Sequence, residues 1–209
     1  MSSETRILLA RHGQTRWNRA GKFMGHTDIP MDAYGCRQAE RLAGIVLQYE
    51  PTAILCSPLQ RAQKTAEIAS YGLSCTPETD HRWIEVDIGR LAGKTRRQAE
   101  DEFEDFFETW RRNPADAVRP GGESDRMRQI KAAESLQQLA RARKRQTVLV
   151  VSHGGTIKTV IAWALHLPLG QKWRLSVDCG SLSSLLLVDE KWRLEFLNYT
   201  EHLTGDNSK

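Results

Sequence analysis

The 209-residue chain contains no run near the ~18 consecutive apolar residues of a membrane-spanning helix, so no membrane partner is expected. Its opening residues, MSSETRILLA, lack the long apolar core of a secretory signal. Cysteine is sparse and scattered: Cys36, Cys56, Cys75 and Cys179 form no C-x-x-C pair. Neither a zinc cluster nor a disulfide framework is therefore expected, and reduced thiols in a cytoplasm fit best. No stretch is dominated by Gly, Pro, Ser or Gln, and no repeat of ~20–50 residues is visible. Disorder is expected only at the ends, residues 1–5 and 205–209. A strong charge of one sign is also missing. The formal net charge of +4 is spread along the chain, and the dense basic run RARKR (141–145) falls where a helical pattern ends, so that cations complement the helix dipole. A nucleic-acid partner is not expected.

What is present is a chain 40% hydrophobic and 27% charged, short of the ~250 residues at which single cores stop growing. Apolar runs of about five residues alternate with longer segments of helical spacing. The strand candidates are RILLA (6–10), TAILC (52–56), LSCTP (73–77), TVLVV (147–151), SLLLV (184–188) and RLEFLN (193–198). Between them, Ala39, Leu42, Ala43 and Val46 build one apolar helix face within 32–50. Further helices are predicted at 59–71, 96–112, 124–143 and 155–166. The last two strands, joined through VDEKW, predict an antiparallel hairpin at a sheet edge. The predicted fold is α/β, a three-layer α/β/α sandwich around a mixed, mostly parallel sheet. Residues 80–123 mix aromatic, acidic and basic side chains, and predict a helical insert over the active face.

Three predicted strands end in polar residues of one kind. ILLA delivers Arg11, His12 and Gly13; AILC delivers SPLQRA, with Arg61 about one turn into a helix; VLVV delivers Ser152, His153, Gly154 and Gly155. In an open α/β sheet, ligands bind beyond the carboxyl ends of strands, where helix N-termini present free N–H groups. Two arginines and two histidines gathered there suit a phosphate dianion, which guanidinium groups grip through paired charge-assisted hydrogen bonds. Gly13, Gly154 and Gly155 would let the backbone approach closely. A single histidine at a strand end is ordinarily a structural hydrogen-bonder. A matched pair with arginines is not.

Together these segments resemble the histidine phosphatase superfamily, the phosphoglycerate mutase-like family. RHGQTRWN is similar to its N-terminal signature, SPLQRAQKTA to its second arginine segment, EVDIG to its acid segment, GGES to a later loop and SHGG to its second histidine segment. The likeness runs from about residue 6 to 202, ending at LNYTEHL, and implies a single histidine phosphatase domain over 1–209. It implies His12 as the nucleophile that forms a phosphohistidine. Arg11, Arg61 and His153 would hold the equatorial oxygens, Asn18 would add a hydrogen bond and Gly154 backbone access. Glu85 in RWIEVDIG would be the general acid, with Asp87 as a competitor, and a carboxyl group beside phosphate should have a raised pKa. The implied partner is a small phosphorylated metabolite, with no cofactor.

Where relatives often read Gly-x-Trp-Glu-Gly after the acid, this chain has GRLAG (89–93), so the wall near the leaving group should differ. GRLAGKT (89–95) ends like a nucleotide-binding Walker loop but has three residues between its glycines rather than four, and follows no good strand. A metal is not expected, because His12 and His153 come with arginines rather than clustered carboxylates or thiolates. His26, His81, His166 and His202 receive no role, although His202 in the tail could brace the pocket. The resemblance favours a phosphatase; a mutase and a catalytically silent phosphate-binding protein stay open. RWIEVD, residues 94–120 and CGSL (179–182) belong to the specificity side. There Arg111, Arg112 and Arg119 either meet a substrate carboxylate or are exposed charges.

Overall fold

A computed structural model describes residues 4–204. In chain order it contains β1 (Thr5–Arg11), α1 (Arg16–Arg19), α2 (Ala33–Leu47), β2 (Ala53–Cys56), α3 (Gln60–Ala69), β3 (Pro77–Thr79), α4 (Arg96–Glu102), α5 (Glu104–Arg112), α6 (Asp125–Ala142), β4 (Thr147–Ser152), α7 (Gly154–Ala164), β5 (Leu182–Val188) and β6 (Lys191–Tyr199). Short 3-10 turns lie at His81–Trp83, Gly89–Leu91, Leu169–Arg174 and Glu201–Leu203.

The six strands form one sheet in the order β3-β2-β4-β1-β5-β6. Pairing is parallel from β3 to β1 and antiparallel across β1-β5 and β5-β6, so the sheet is mixed and mostly parallel, as predicted. Because a strand shows alternate residues to opposite faces, the apolar runs of β1, β2 and β4 supply two cores. Ile7, Leu9, Val148 and Val150 meet Leu136 of α6 and Ile157 and Ile161 of α7. Leu8, Ala10, Ile54, Leu149 and Val151 meet Leu42 and Val46 of α2 and Ala62 and Ala66 of α3. Both faces are covered, which is why these strands read as continuous hydrophobic runs. Each buried Leu or Ile contributes about 1.5–3 kcal/mol.

Three predicted boundaries are corrected, and one short helix, α1, is not among the predicted elements. The strand expected at 73–77 lies instead at Pro77–Thr79, because the chain first turns through Gly72 at φ +82. Leu73 and Cys75, which suggested it, pack on the core from the turn. Its proline is tolerated on an edge strand, where no ladder donor is required. The helix expected over 96–112 breaks at Phe103, whose φ of −128° and ψ of 47° leave the helical region while its ring joins Leu91, Ala99 and Phe107 in a small cluster. Thr5, expected in a disordered end, is buried as the first residue of β1; the rest of that expectation, at 1–3 and 205–209, lies outside the described residues. Helix α1 has no apolar signal and rests on a capping box between Thr15 and Asn18.

Candidate functional site

The register of β1 against β4 pairs Arg11 with Ser152, so the next residues, His12 and His153, leave the sheet side by side. The His12 amide donates to the Ser152 carbonyl at 3.0 Å, and the Ser57 amide donates to the Val151 carbonyl at 3.0 Å. Three strand ends therefore open at one edge. The two imidazole centres lie 5.1 Å apart, tilted by 57°. Nδ1 of His12 is 2.8 Å from the Gly13 carbonyl. A carbonyl only accepts, so Nδ1 carries the proton and the lone pair of a neutral ring resides on Nε2. His153 Nε2 is bound instead to Ser57 Oγ at 2.7 Å.

Arg61, fully buried one turn into α3, donates Nη1 to the Thr27 carbonyl at 2.9 Å and Nη2 to the Gly25 carbonyl at 2.8 Å. Arg11 donates Nη1 to the Val177 carbonyl at 2.7 Å. These bonds fix both planes, yet Nε of Arg11, Nε of Arg61 and Nδ1 of His153 are buried without a partner. Buried polar atoms are normally bonded; Arg11 and Arg61 line the same cavity as His12, whereas His153 lies behind it, 5.1 Å from the His12 ring. Burial, then His153, Arg11 and Arg61, hold the His12 pKa well below the ordinary histidine value. Burial, then Arg61 and Arg11, do the same for His153. Both rings are neutral at neutral pH, and a neutral imidazole is the nucleophilic form. Burial lowers Arg61 to about 10, which leaves it cationic.

Glu85 reaches the same place from the loop before Gly89. Its carboxylate accepts from the amides of Val86 at 2.8 Å, Gly155 at 3.1 Å and Thr156 at 3.0 Å. The raised pKa expected beside phosphate concerns the occupied site; the protein's own groups set a different starting pKa. Burial pushes it up, but the Val86 and Gly155 amides, Arg61 and Lys172 outweigh burial, and the net shift is downward. The Val86 amide leads, and the N-terminus of α7 adds the Gly155 amide, an unpaired helix N–H group that stabilises an anion. Gly155 is required here because a Cβ would sit 2.6 Å from Glu85 Oε1. Asp87, the competing acid, accepts from the Gly89 amide at 2.9 Å and shapes its own turn.

The GGES segment acquires a physical role. Glu123 accepts from the Asp87 amide at 3.1 Å and the Glu123 amide donates back to the Asp87 carbonyl at 2.9 Å. Its carboxylate is held by Arg128 at 2.8 Å and Lys131 at 3.0 Å, and Arg128 also donates to the Ile84 carbonyl at 3.1 Å. The loop bearing Glu85 is thus braced from α6. His26 Nε2 donates to the Glu85 carbonyl at 2.7 Å. His202 binds the Gly180 carbonyl at 3.0 Å, and the Gly180 amide in turn donates to the carbonyls of Arg11 and His12, so the tail does brace the site.

A cavity of about 310 Å³ is lined by Arg11, His12, Asn18, Arg61, Glu85 and Gly155, among others. Asn18 spends its Oδ1 on the Thr15 amide and hydroxyl, which leaves its amide group as the donor. Gly154 packs against Arg11, a Cβ there meeting the guanidinium at 3.3 Å. Lys172 and Arg119 line the same cavity. No sequence pattern marked Lys172, and Arg119 is largely buried whereas Arg111 and Arg112 are exposed. A larger cleft, about 980 Å³, lies at the opposite end of the sheet around Thr5, Arg145 and Trp192 and touches none of these residues. Among the described residues, no group of three or more His, Cys, Asp or Glu is placed to hold a metal ion, and no helix is long and apolar enough to cross a membrane.

Comparison with known proteins agrees with this geometry. The family model described as "Histidine phosphatase superfamily (branch 1)" matches residues 7–200. The chain is 32% identical to "Uncharacterized phosphatase PhoE" of Bacillus subtilis, over 96% of this chain and 98% of that one. It is 30% identical to "Probable phosphoglycerate mutase GpmB" of Salmonella paratyphi C, over 89% and 86%. Among solved structures, phosphoserine phosphatase from Entamoeba histolytica in complex with 3-phosphoglyceric acid superposes with a TM-score of 0.84 at 26% identity, covering 95% of this chain and 99% of that one. With the family model matching residues 7–200 and relatives at 30% identity or more over nearly the whole length, the chain belongs to the histidine phosphatase superfamily.

Proposed function

We propose that the protein hydrolyses phosphomonoesters of small metabolites through a phosphohistidine on His12. The observation that carries this reading is the state of that ring: Nδ1 donates to the Gly13 carbonyl, burial and the neighbouring cations keep the ring neutral, and Nε2 is the nitrogen with the lone pair. Arg11, Arg61 and His153 bind the non-bridging oxygens with Asn18, and Gly154 lets the backbone close on them. Nε2 attacks phosphorus while the bond to the leaving oxygen breaks, and Glu85 gives that oxygen its proton. The Nε2–P bond is then broken by water, whose proton returns to the Glu85 carboxylate, and inorganic phosphate leaves. A dianionic phosphoryl group next to Glu85 favours its protonated form, so binding of substrate recruits the proton that the chemistry consumes. Preorganised donors facing the developing charge supply the largest share of the rate.

The arginines occupy the role a metal would take in charge neutralisation, so hydrolysis should survive a chelator. The four cysteines carry free thiols, which suits a reducing, cytoplasmic location. The test is phosphate release from a panel of phosphorylated metabolites and from p-nitrophenyl phosphate, with 3-phosphoglycerate plus a trace of 2,3-bisphosphoglycerate run alongside. Release of phosphate without formation of 2-phosphoglycerate supports a phosphatase. Formation of 2-phosphoglycerate faster than phosphate release makes the protein a mutase, and binding without either product makes it a phosphate-binding protein.

A further inference from the structure

The Arg61 guanidinium and the Glu85 carboxyl come from separate elements, and one short strap, residues 25–28, reaches both. Its Gly25 and Thr27 carbonyls accept the two terminal nitrogens of Arg61 at 2.8 and 2.9 Å. Its Asp28 accepts from the Gln60 amide at 2.8 Å through Oδ1, and from Gln60 Nε2 at 2.9 Å through its carbonyl. That satisfies the first amide of α3, whose own N-cap residue, Leu59, supplies no side-chain bond. Gly25 has φ +51, and a Cβ there would lie 2.4 Å from Ile88 Cγ1, so the strap is seated on the loop that carries the acid. Between the two carbonyls that hold Arg61 stands His26, whose Nε2–H donates to the Glu85 carbonyl at 2.7 Å. Its other nitrogen, Nδ1, is 3.9 Å from Asp87 Oδ2, too far for a hydrogen bond.

The peptide units on both sides of Glu85 are therefore held. The Ile84 carbonyl accepts from Arg128 Nη1 at 3.1 Å and from Thr156 Oγ1 at 2.8 Å, and the Glu85 carbonyl accepts from His26. These anchors differ in kind from those of the carboxylate. The Val86, Gly155 and Thr156 amides hold it as an anion, and hydrogen bonds to an ionised acceptor are roughly twice as strong as neutral ones. A general acid works in its protonated form, in which that extra strength is gone. The bond to the main-chain carbonyl does not depend on the proton, so it persists when the carboxyl is ready to act.

We propose that His26 is a positioning residue, which fixes the main chain of Glu85 against the strap that orients Arg61 and so keeps the protonated carboxyl aligned with the leaving oxygen of a phosphate gripped by Arg61. The inference rests on the phosphatase reading with Glu85 as the acid. It predicts dependence on the leaving group, measured with p-nitrophenyl phosphate and with whichever alkyl phosphate of the metabolite panel is hydrolysed fastest. His26→Ala should lower kcat for the alkyl phosphate, whose alkoxide needs a proton, by about 3- to 10-fold, the loss of one neutral hydrogen bond. For p-nitrophenyl phosphate, whose leaving group needs none, the change should stay under about two-fold. KM for both, and inhibition by inorganic phosphate, should be retained, because the carbonyls that hold Arg61 remain. His26→Gln should restore the ratio of the two kcat values, since glutamine can place an N–H near the Nε2 position. His26→Asn, one methylene shorter, should not. The His26 side chain is 39% exposed, so none of these changes opens a cavity in the core.

An equal loss on both substrates overturns the proposal, because a merely structural contact would act on both. A His26→Gln protein no better than His26→Ala overturns it as well. So does a native protein that turns over p-nitrophenyl phosphate alone, which leaves an acid nothing to do. Phosphate release from neither substrate by the native protein removes the phosphatase reading, and the role of His26 with it. Hydrolysis of both substrates with the native ratio in all three variants removes the role of His26 alone.

Discussion

The junctions RHGQT and SHGGT leave neighbouring strands at the same level, and they hold their histidines in opposite ways. After His12 the chain stays extended and packs so tightly that a Cβ on Gly13 would lie 2.2 Å from the Gly35 carbonyl; the ring turns Nδ1 back to its own backbone and keeps Nε2 free. After His153 the chain enters α7 at once, the ring ties Nε2 to Ser57, and the amides of the new helix hold Glu85. On the proposed mechanism, one His-Gly pair presents the nucleophile and the other a binding wall with the acid attached. Near-identical sequence acquires different chemistry from which ring nitrogen the fold consumes.

Substitution at the two histidines should break this comparison most visibly. His12→Ala is expected to lose about 10⁴-fold or more in kcat, as for removal of a covalent nucleophile, with phosphate binding largely retained. His153→Gln should cost about 10²- to 10³-fold, the loss of one donor to the transferring group, while still forming a covalent intermediate. Phosphate release under single-turnover conditions separates the two; equal losses with no intermediate in either would erase the distinction. A smaller contrast sets Glu85 against Asp87. Glu85→Gln should lower hydrolysis of alkyl phosphates by about 10²- to 10⁴-fold and that of p-nitrophenyl phosphate, whose leaving group needs no proton, by much less. Asp87→Asn should spare that ratio.

The pH dependence sharpens the second junction further. The free Glu85 carboxylate has its pKa lowered, and a bound dianion raises it, so inorganic phosphate should bind with proton uptake and inhibit more strongly as pH falls from neutral. Calorimetry in buffers of different ionisation enthalpy measures that uptake, and its disappearance in Glu85→Gln assigns it. Because phosphate itself loses protons near neutral pH when bound as the dianion, the difference between the two proteins is the test: uptake no greater in the native protein than in Glu85→Gln would contradict the sign. Smallest of all should be removal of the brace: Glu123→Gln leaves Arg128 buried without its full partner and should destabilise the fold by about 3–5 kcal/mol at most, with a modest activity loss read beside a denaturation curve.

The contrast also explains what was legible in the sequence. His12 and His153 were readable because each stands at the end of an apolar strand, and Arg61 because it lies one turn into the helix after another such strand; strand ends in such a sheet converge by topology alone. Glu85 followed from a motif, but its lowered pKa did not, since the amides of Gly155 and Thr156 reach it from 70 residues away. Glu123 was visible as part of GGES without a role, because its partners Asp87 and Arg128 come from a loop and a helix that only folding unites. Lys172 had no signal: it lies in a 3-10 turn after α7, with no periodicity and no neighbouring motif. The missed strand boundary at 73–77 has the same origin, an apolar alternation used for packing rather than for pairing.

The central claim is that phosphorus becomes bonded to His12 and not to His153. Rapid acid-free quenching of the enzyme during turnover, followed by peptide mass spectrometry under alkaline conditions, locates the phosphoryl group. The account requires it on the peptide containing residues 11–13, absent in His12→Ala and still present in His153→Gln. A phosphoryl group found on the peptide containing His153, or steady hydrolysis by His12→Ala at the native rate, would contradict it.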